Sequence, residues 1–293
     1  MTDKRPIQAR IASADDAEAS IDVSTSTSAS ATADVSASAC VVAEASSADA
    51  RSTGASSADA SAAANGAPDL GQPYCYRYPH PAVTTDVVLF TIRDDCLQLL
   101  LIERGNEPFK GSWALPGGFV DIDEALKTCA ARELAEETGV ENLYLEQLGT
   151  FGEPGRDPRE RVISVAYLAL APESRLSVRA GDDAAAAAWF PVKDLPPLAF
   201  DHDQIIASAH RRLIAKLDYS TIAFQLLPDT FTLSELQRVY ETLVDAEIDK
   251  RNFRKWAQAL EVIEDTGALR RRGSHRPARV YRLLDRERIA FLK

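Results

Sequence analysis

The stretch "GGFVDIDEALKTCAARELAEETGV", Gly117 to Val140, decides how this chain is read. Four of its residues are glutamates, and three of those stand almost together in "RELAEE". On a helix, positions i, i+3 and i+4 share a face, so Glu133, Glu136 and Glu137 point the same way. Like charges at that spacing weaken a helix, so something positive must compensate. Three carboxylates on one face suit a hard divalent cation that prefers oxygen ligands, Mg2+ or Mn2+ above others. Arg132, next to Glu133, is a second source of positive charge and can orient the cluster. Gly117 and Gly118 let backbone pass close to the site, and Gly118 brings a carbonyl within reach of a metal. The competing reading is a solvated acidic helix face.

The spacing argues against that plainer reading. Gly118, five residues, Glu124, seven residues, then Arg132-Glu133-Leu134-x-Glu136-Glu137-x-Gly139-Val140 matches the Nudix box at every specified position. On average composition, a match at a given start has a chance of roughly one in a hundred million or less. Over about residues 80–220 the chain therefore resembles the Nudix hydrolase superfamily. The resemblance implies an α/β class fold, an α/β/α sandwich with a mixed sheet, in which the box forms a loop-helix-loop holding divalent metal. It also implies hydrolysis of a nucleoside diphosphate linked to another group, by water attack on phosphorus. Carried over by position, Glu133 and Glu137 are the principal metal ligands with Glu136 in support, while Glu124 and Arg132 orient them.

The general base stays open among Glu160, Asp182, Asp183 and a glutamate of the box. "GEPGRDPRERVISVAY", Gly152 to Tyr167, resembles the segment after the box in ADP-ribose pyrophosphatase-like members. Arg156, Arg159 and Arg161 there offer guanidinium forks suited to phosphate or ribose oxygens. The plainer alternative is a set of surface arginines paired with Asp157 and Glu160.

Outward from the box, "AVTTDVVLFTIRDDCLQLLLIER" reads as two strands around a turn at Asp94–Asp95. "SWALPGGFV" reads as a short strand ending in a glycine pair. A helix is expected over 123–138, with Asp121 or Asp123 as N-cap and Gly139 as its stop. Leu126, Cys129, Ala130 and Leu134 recur at helical spacing, which makes Cys129 a core residue and not a nucleophile. Strands are expected at "NLYLEQLGTF", "RVISVAYLALA" and "AAWFPV", and a further helix over about 203–217. That order describes a mixed-sheet unit, not a regular parallel repeat.

The last seventy or so residues follow a different plan. Thr232-Leu233-Ser234-Glu235 has the form of a capping box and opens a helix to about Val244. A second helix, "KRNFRKWAQAL", follows, with Phe253, Trp256 and Leu260 as its core contribution. "VIEDTGALRRR" and "PARVYRLL" then read as two strands joined by "GSHR". Two helices, a short turn and a basic hairpin make a winged helix-turn-helix pattern. Lys250, Arg251, Arg254 and Lys255 load the second helix beside Asn252, a potential base reader. Arg270, Arg271, Arg272, Arg276 and Arg279 load the hairpin. Two such clusters provide the phosphate positioning and groove contacts that duplex DNA requires. His275 reads as a surface or phosphate contact, not a metal ligand.

This segment resembles the winged-helix end of the Nudix-related transcriptional regulators of NAD metabolism, the NrtR family. In that family the Nudix domain senses ADP-ribose or a related nucleotide, and the C-terminal domain binds operator DNA as a homodimer. Many members carry a degenerate box, whereas the box here is intact. Three readings stay open. The first is a regulator with retained metal-dependent pyrophosphatase activity. The second is a repressor whose pocket only senses ADP-ribose or a sugar. The third is a hydrolase whose basic C-terminal domain mediates dimerisation.

Composition bounds the remainder. The formal net charge is −11 over 293 residues, but it divides as −6 for residues 1–72, −8 for 73–220 and +3 for 221–293. The three segments match the expected organisation: a disordered Ala/Ser-rich tail, a Nudix domain and a DNA-binding domain. The tail has too little to bury to offset its ordering entropy. Four scattered cysteines without a CxxC pair fit a reducing cytoplasm. No apolar run approaches the roughly 18 residues of a membrane span, and the N-terminus lacks the apolar core of a signal peptide.

Overall fold

Residues 84–91 lie buried without a break in β1 (Ala82–Arg93), as a strand covered on both faces requires. The computed structural model describes residues 77–292 apart from 142, 177–183, 272–276 and 287. The expected disordered tail, Asp182, Asp183, Arg272, His275 and Arg276 lie outside the described residues. β1 turns at Asp94 and Asp95, both with positive φ (51° and 58°), into β2 (Cys96–Arg104). This is the tight hairpin expected from the sequence, in a conformation that Asp tolerates better than most residues.

The "SWALPGGFV" run is two strands instead of the single one expected: β3 (Trp113–Ala114) and β4 (Gly117–Phe119). Pro116 lies between them and has no N–H to give to a ladder. β3 pairs β2 while β4 crosses to pair β1. The box helix α1 (Leu126–Thr138) starts later than expected, with Ala125 at the cap and no side-chain cap bond. The segment ahead of it makes its own turn, Glu124 N–H donating to Asp121 O, and the Glu124 side chain is drawn away to Arg132. The helix stops as expected at Gly139, whose φ of 72° is left-handed.

β5 (Tyr144–Phe151), β6 (Val162–Leu170) and β7 (Ala184–Pro191) complete a seven-stranded mixed sheet. β1 and β6 run parallel at its centre, and the other pairings are antiparallel. Side chains alternate across β1. Val87 and Leu89 pack with Ala130 and Leu134 of α1, whereas Val88 and Phe90 pack with Ile205, Ala209 and Leu213 of α2 (His202–Leu217). A helix on each face makes the α/β/α sandwich of a Nudix fold.

The winged helix follows a 3-10 turn, Ile222–Leu226. Its helices are α3 (Leu233–Val244) and α4 (Lys250–Gln258), and its sheet is ordered β8 (Thr230–Thr232), β10 (Ala278–Leu283), β9 (Ile263–Arg270). The sequence does not reveal β8, because three residues carry no period, and β9 ends at Arg270, before the arginine run is complete. Phe253 is buried and Trp256 and Leu260 are partly so, but Phe224, Phe231 and Tyr240 form more of this core than expected. The core is continuous with the Nudix sheet: Val88, Leu99, Phe224, Leu236, Tyr240 and Phe253 belong to one buried cluster.

The capping box forms at Thr232. Its Oγ1 accepts from Glu235 N–H at 3.2 Å, and its own N–H donates to Glu235 Oε2 at 2.8 Å. Thr232→Ala is expected to lower stability by about 1 kcal/mol, read as a reduced urea midpoint at constant slope. A midpoint equal to that of the parent would remove the cap from the account of this helix.

Candidate functional site

The compensating charge in the box is Arg132. Its Nη2 donates to Glu124 (2.8 Å), and its Nη1 to Glu133 (2.8 Å) and Glu136 (3.1 Å). A further bond runs from Nη2 to the Phe119 carbonyl at 3.3 Å, tying the helix to β4. These partners raise the guanidinium's affinity for its proton, the Glu124 hydrogen bond being the largest influence, and they hold the Glu124 carboxyl below its usual range. Glu133 goes the other way: burial pushes its carboxyl up, with Arg132 opposing. Cys129, expected in the core, is buried, and its thiol is pushed up to about 11 by burial.

The two glycines draw two glutamates to one strand. Gly117 N–H donates to Glu137 Oε2 at 2.8 Å. A Cβ at Gly118 would stand 2.3 Å from Glu133 Oε1, so that carboxylate lies directly over the glycine. Among the described residues no group of three His, Cys, Asp or Glu side chains converges as a ready-made metal cage. Mg2+, however, is commonly held by one or two carboxylates plus water. Glu133 and Glu137, side by side over Gly117–Gly118, fit that smaller requirement, with Glu136 exposed at the edge of the cluster.

The contrast between the glycines is testable. At Gly117 a Cβ would meet the backbone oxygen of Thr85 at 2.1 Å, and a strand cannot step aside. At Gly118 it would meet only the end of a flexible side chain. Gly117→Ala is expected to lower stability by about 1–3 kcal/mol or more. Gly118→Ala should fold with a smaller loss while displacing Glu133. Equal melting temperatures for the two variants would contradict this geometry.

Beside the glycines opens a cavity of 180 Å3, lined among others by Asp86, Arg104, Phe119, Arg159, Phe200 and His202. Its floor is a buried polar network. Arg156 donates to both oxygens of Asp201, from Nη2 at 2.6 Å and Nε at 3.0 Å, and its Nη2 stands 3.6 Å from Asp86. Asp86 also accepts from the Ser164 hydroxyl. His202 Nδ1 accepts from Leu115 N–H at 2.9 Å, and its Nε2 lies 3.6 Å from Asp86. Burial holds this imidazole below its ordinary range, with Asp86 opposing, so it is neutral at physiological pH.

Of the three arginines expected to hold ligand, Arg156 and Arg159 line this cavity and Arg161 does not. Arg161 donates to Glu153 O of its own loop and to Val162 O at the start of β6. The Arg159 fork is taken up by Asp157, from Nε at 3.0 Å and Nη2 at 2.7 Å, so the pairing with Asp157 weighed from the sequence does form. Burial would raise the Asp157 carboxyl, but the Arg159 bonds hold it below its usual range. Glu160 is exposed and does not line the cavity. Sequence reading missed Arg104, whose Nε donates to Pro108 O at 2.8 Å and whose guanidinium stands 4.9 Å over the Phe200 ring. It also missed the floor. The available signal was Asp86, a charge inside the otherwise uncharged run "VTTDVVLF".

In the winged helix, Lys250, Arg251, Asn252, Arg254 and Lys255 are all exposed on α4, and the four cations line one open groove along it. Asp249 caps the helix by accepting from Asn252 N–H at 2.8 Å. Arg271 is exposed. Arg270 turns inward, donating to Glu235 at 3.0 Å and to Thr230 Oγ1 at 2.9 Å, and Arg279 pairs with Asp265 at 2.6 Å.

Family models match both halves: NUDIX domain over residues 81–210, and NrtR DNA-binding winged helix domain over 223–283. The chain is 38% identical over 209 residues to the ADPR responsive transcriptional repressor NtrR of Acinetobacter baylyi, covering 70% of this chain and 83% of that protein. The chain belongs to the NrtR family. A crystal structure of Shewanella oneidensis NrtR complexed with a 27mer DNA superposes with a TM-score of 0.62 at 40% identity, covering 69% of this chain and 93% of that one. The Nudix half of this NrtR-family chain is also 44% identical over 129 residues to an ADP-ribose pyrophosphatase of Methanocaldococcus jannaschii, covering 44% of this chain and 73% of that enzyme. No helix among the described residues is long and apolar enough to cross a membrane.

Proposed function

We propose that this chain is a DNA-binding transcriptional repressor whose Nudix pocket takes ADP-ribose, or a closely related nucleoside diphosphate sugar, as its effector. One observation carries the reading. Two guanidinium groups, Arg104 and Arg159, flank Phe200 in a pocket that opens beside the box glycines, and the same buried core extends to the basic helix α4. Burial lowers the proton affinity of Arg104, and the nearby Arg159 lowers it further. Arg159 already holds Asp157, so the cation offered to a ligand is Arg104, and a pyrophosphate is the anion that the relatives' names supply. The DNA contacts fall to Lys250, Arg251, Asn252, Arg254, Lys255 and Arg271. The repressor acts as a cytoplasmic homodimer, as the two-fold symmetry of such operators favours, on genes of NAD metabolism.

A second reading, retained hydrolysis, is favoured by the unbroken set of Glu124, Arg132, Glu133, Glu136 and Glu137. Mg2+ held by Glu133 and Glu137 would neutralise pyrophosphate oxygens and acidify a water. The chain's own part is positional: Arg132 aims Glu133, Gly117 N–H aims Glu137, and Arg104 faces the diphosphate.

The test uses the full chain. AMP release from ADP-ribose is measured with Mg2+, with and without chelator, alongside gel shifts of duplexes selected from a random pool, with and without ADP-ribose. Duplex release or retention that responds to ADP-ribose supports the regulator, and chelator-sensitive AMP release adds the enzyme. Selection that enriches no duplex would overturn the repressor reading. Replacing Lys250, Arg251 and Arg254 together with alanine is expected to lower the slope of log affinity against log salt by about two to three, at roughly 0.9 per lost phosphate contact. An unchanged slope would take α4 out of the interface.

A further inference from the structure

The cavity is too small for the whole of its proposed ligand. Pockets for nucleotide-sized molecules run to about 300–1,000 Å3, against 180 Å3 here. Part of the ligand must therefore lie across the mouth, and the chemistry of the mouth differs from that of the floor. The floor is the charged network of Asp86, Arg156 and His202, suited to hydroxyl groups. The mouth is aromatic.

Phe119 is 42% exposed, a large apolar ring left open at the end of β4. The Arg159 guanidinium stands 5.3 Å from the Phe119 centroid and 5.9 Å from that of Phe200. Its edge is committed to Asp157, whose side chain is only 3% exposed, so that orientation is fixed from below. What Arg159 offers outward is a flat face backing a ring, not a fork. Phe200 is itself held at a φ of 56°, a conformation unusual for a bulky residue, and Phe109, at 63°, meets it edge-on at 4.9 Å. Such conformations are retained where the surroundings over-determine them, and they cluster at ligand sites.

We propose that Phe119, backed by Arg159, is the seat on which the planar base of the nucleotide stacks. This inference rests on the reading of the pocket as a nucleoside diphosphate site. The order along β4 agrees with it. Gly117 and Gly118 lie beside the metal-binding glutamates where the diphosphate belongs, and Phe119 follows at the open end. Two residues of extended chain span roughly 7 Å, leaving room for one ribose between diphosphate and base. Base–aromatic stacking tolerates any base, because each has a π-face. The seat therefore fixes the ligand's direction: base outward, second sugar toward Asp86. Arg159 is a positioning residue in this scheme.

The experiment titrates the full chain with ADP-ribose, by calorimetry and by proton NMR of the base H2 and H8 signals. The parent should bind with both signals moved upfield by the ring. Phe119→Ala and Phe119→Leu should each lose roughly 5- to 100-fold in affinity and lose the upfield shift, while melting near the parent temperature because the ring is exposed. Arg159→Met should reduce the shift without changing the salt dependence of binding. Parent-like affinity in both Phe119 variants, with no ring-current shift in the parent, would overturn the seat and leave the pocket reading standing. A flattened salt dependence in Arg159→Met with an intact shift would make Arg159 a phosphate fork instead. A parent chain that does not bind ADP-ribose would overturn the pocket reading itself.

Discussion

Arg156→Leu is expected to lower stability by about 3–5 kcal/mol, the loss typical of breaking a buried ion pair by removing one partner. The side chain is 4% exposed and answers two carboxylates, Asp201 at 2.6 Å and Asp86 at 3.6 Å, which are themselves only 12% and 9% exposed. Domains commonly retain only 5–15 kcal/mol in total, so this change should bring the protein close to unfolding at 37 °C. The penalty lies mainly in the orphaned carboxylates. Arg156→Leu combined with Asp201→Asn should therefore destabilise by less than the sum of the two single changes, because the residues are in contact. Denaturant titration of the four proteins measures this directly. Strict additivity would mean that Arg156 acts through its bulk and not its charge.

Glu133→Gln should separate function from stability. If the proposed hydrolysis holds, loss of a carboxylate that holds Mg2+ removes several kcal/mol of charge stabilisation, or about 10²- to 10³-fold in AMP release from ADP-ribose. The fold should not suffer. Burial pushes the Glu133 carboxyl up despite Arg132, so the native chain binds that proton more tightly than the unfolded chain does. An ionised Glu133 therefore subtracts stability at pH values above its folded pKa. The penalty fades as pH falls through that value and is gone below the unfolded value near 4.3. The glutamine variant is neutral throughout and should melt at or above the parent temperature at pH 7, with the difference closing as pH falls. Arg132 keeps Glu124 and Glu136 in that variant. Undiminished turnover would remove Glu133 from the metal site, and a lower melting temperature at pH 7 would mean that the Arg132 pair outweighs burial.

Local chemistry was legible wherever the deciding partners are close in sequence. The Asp94–Asp95 turn, the Gly139 stop and the Thr232–Glu235 cap each involve residues within four positions of one another. Glu133, Glu136 and Glu137 were legible for the same reason, since one helix carries them. The floor of the pocket was not. Asp86, Arg156, Asp201 and His202 come from β1, a loop and the start of α2, and they meet only because β1 and β6 are parallel neighbours over that helix. Arg156 could not be told from Arg159 or Arg161 by sequence, since one looks inward, one lies across aromatic rings and one bends onto its own loop. β8 was hidden because its pairing partner, β10, begins 46 residues after it ends. Arg132, named from the sequence as a second source of positive charge, is the one that the described residues place against the cluster. The acidic face is balanced within its own helix by Arg132, and a metal would share that task.

The buried cluster that joins Val88 and Leu99 of the sheet to Tyr240 and Phe253 of the winged helix is expected to make the proposed sensor and reader one cooperative unit. Such a unit melts in one heat-absorption peak, not two. Ligand binding free energy is then not confined to the pocket: an occupant at a hundred times its Kd adds about 2.7 kcal/mol against every opening that exposes the shared core. The amides of α4, which does not line the pocket, would exchange their hydrogens more slowly each time the pocket fills.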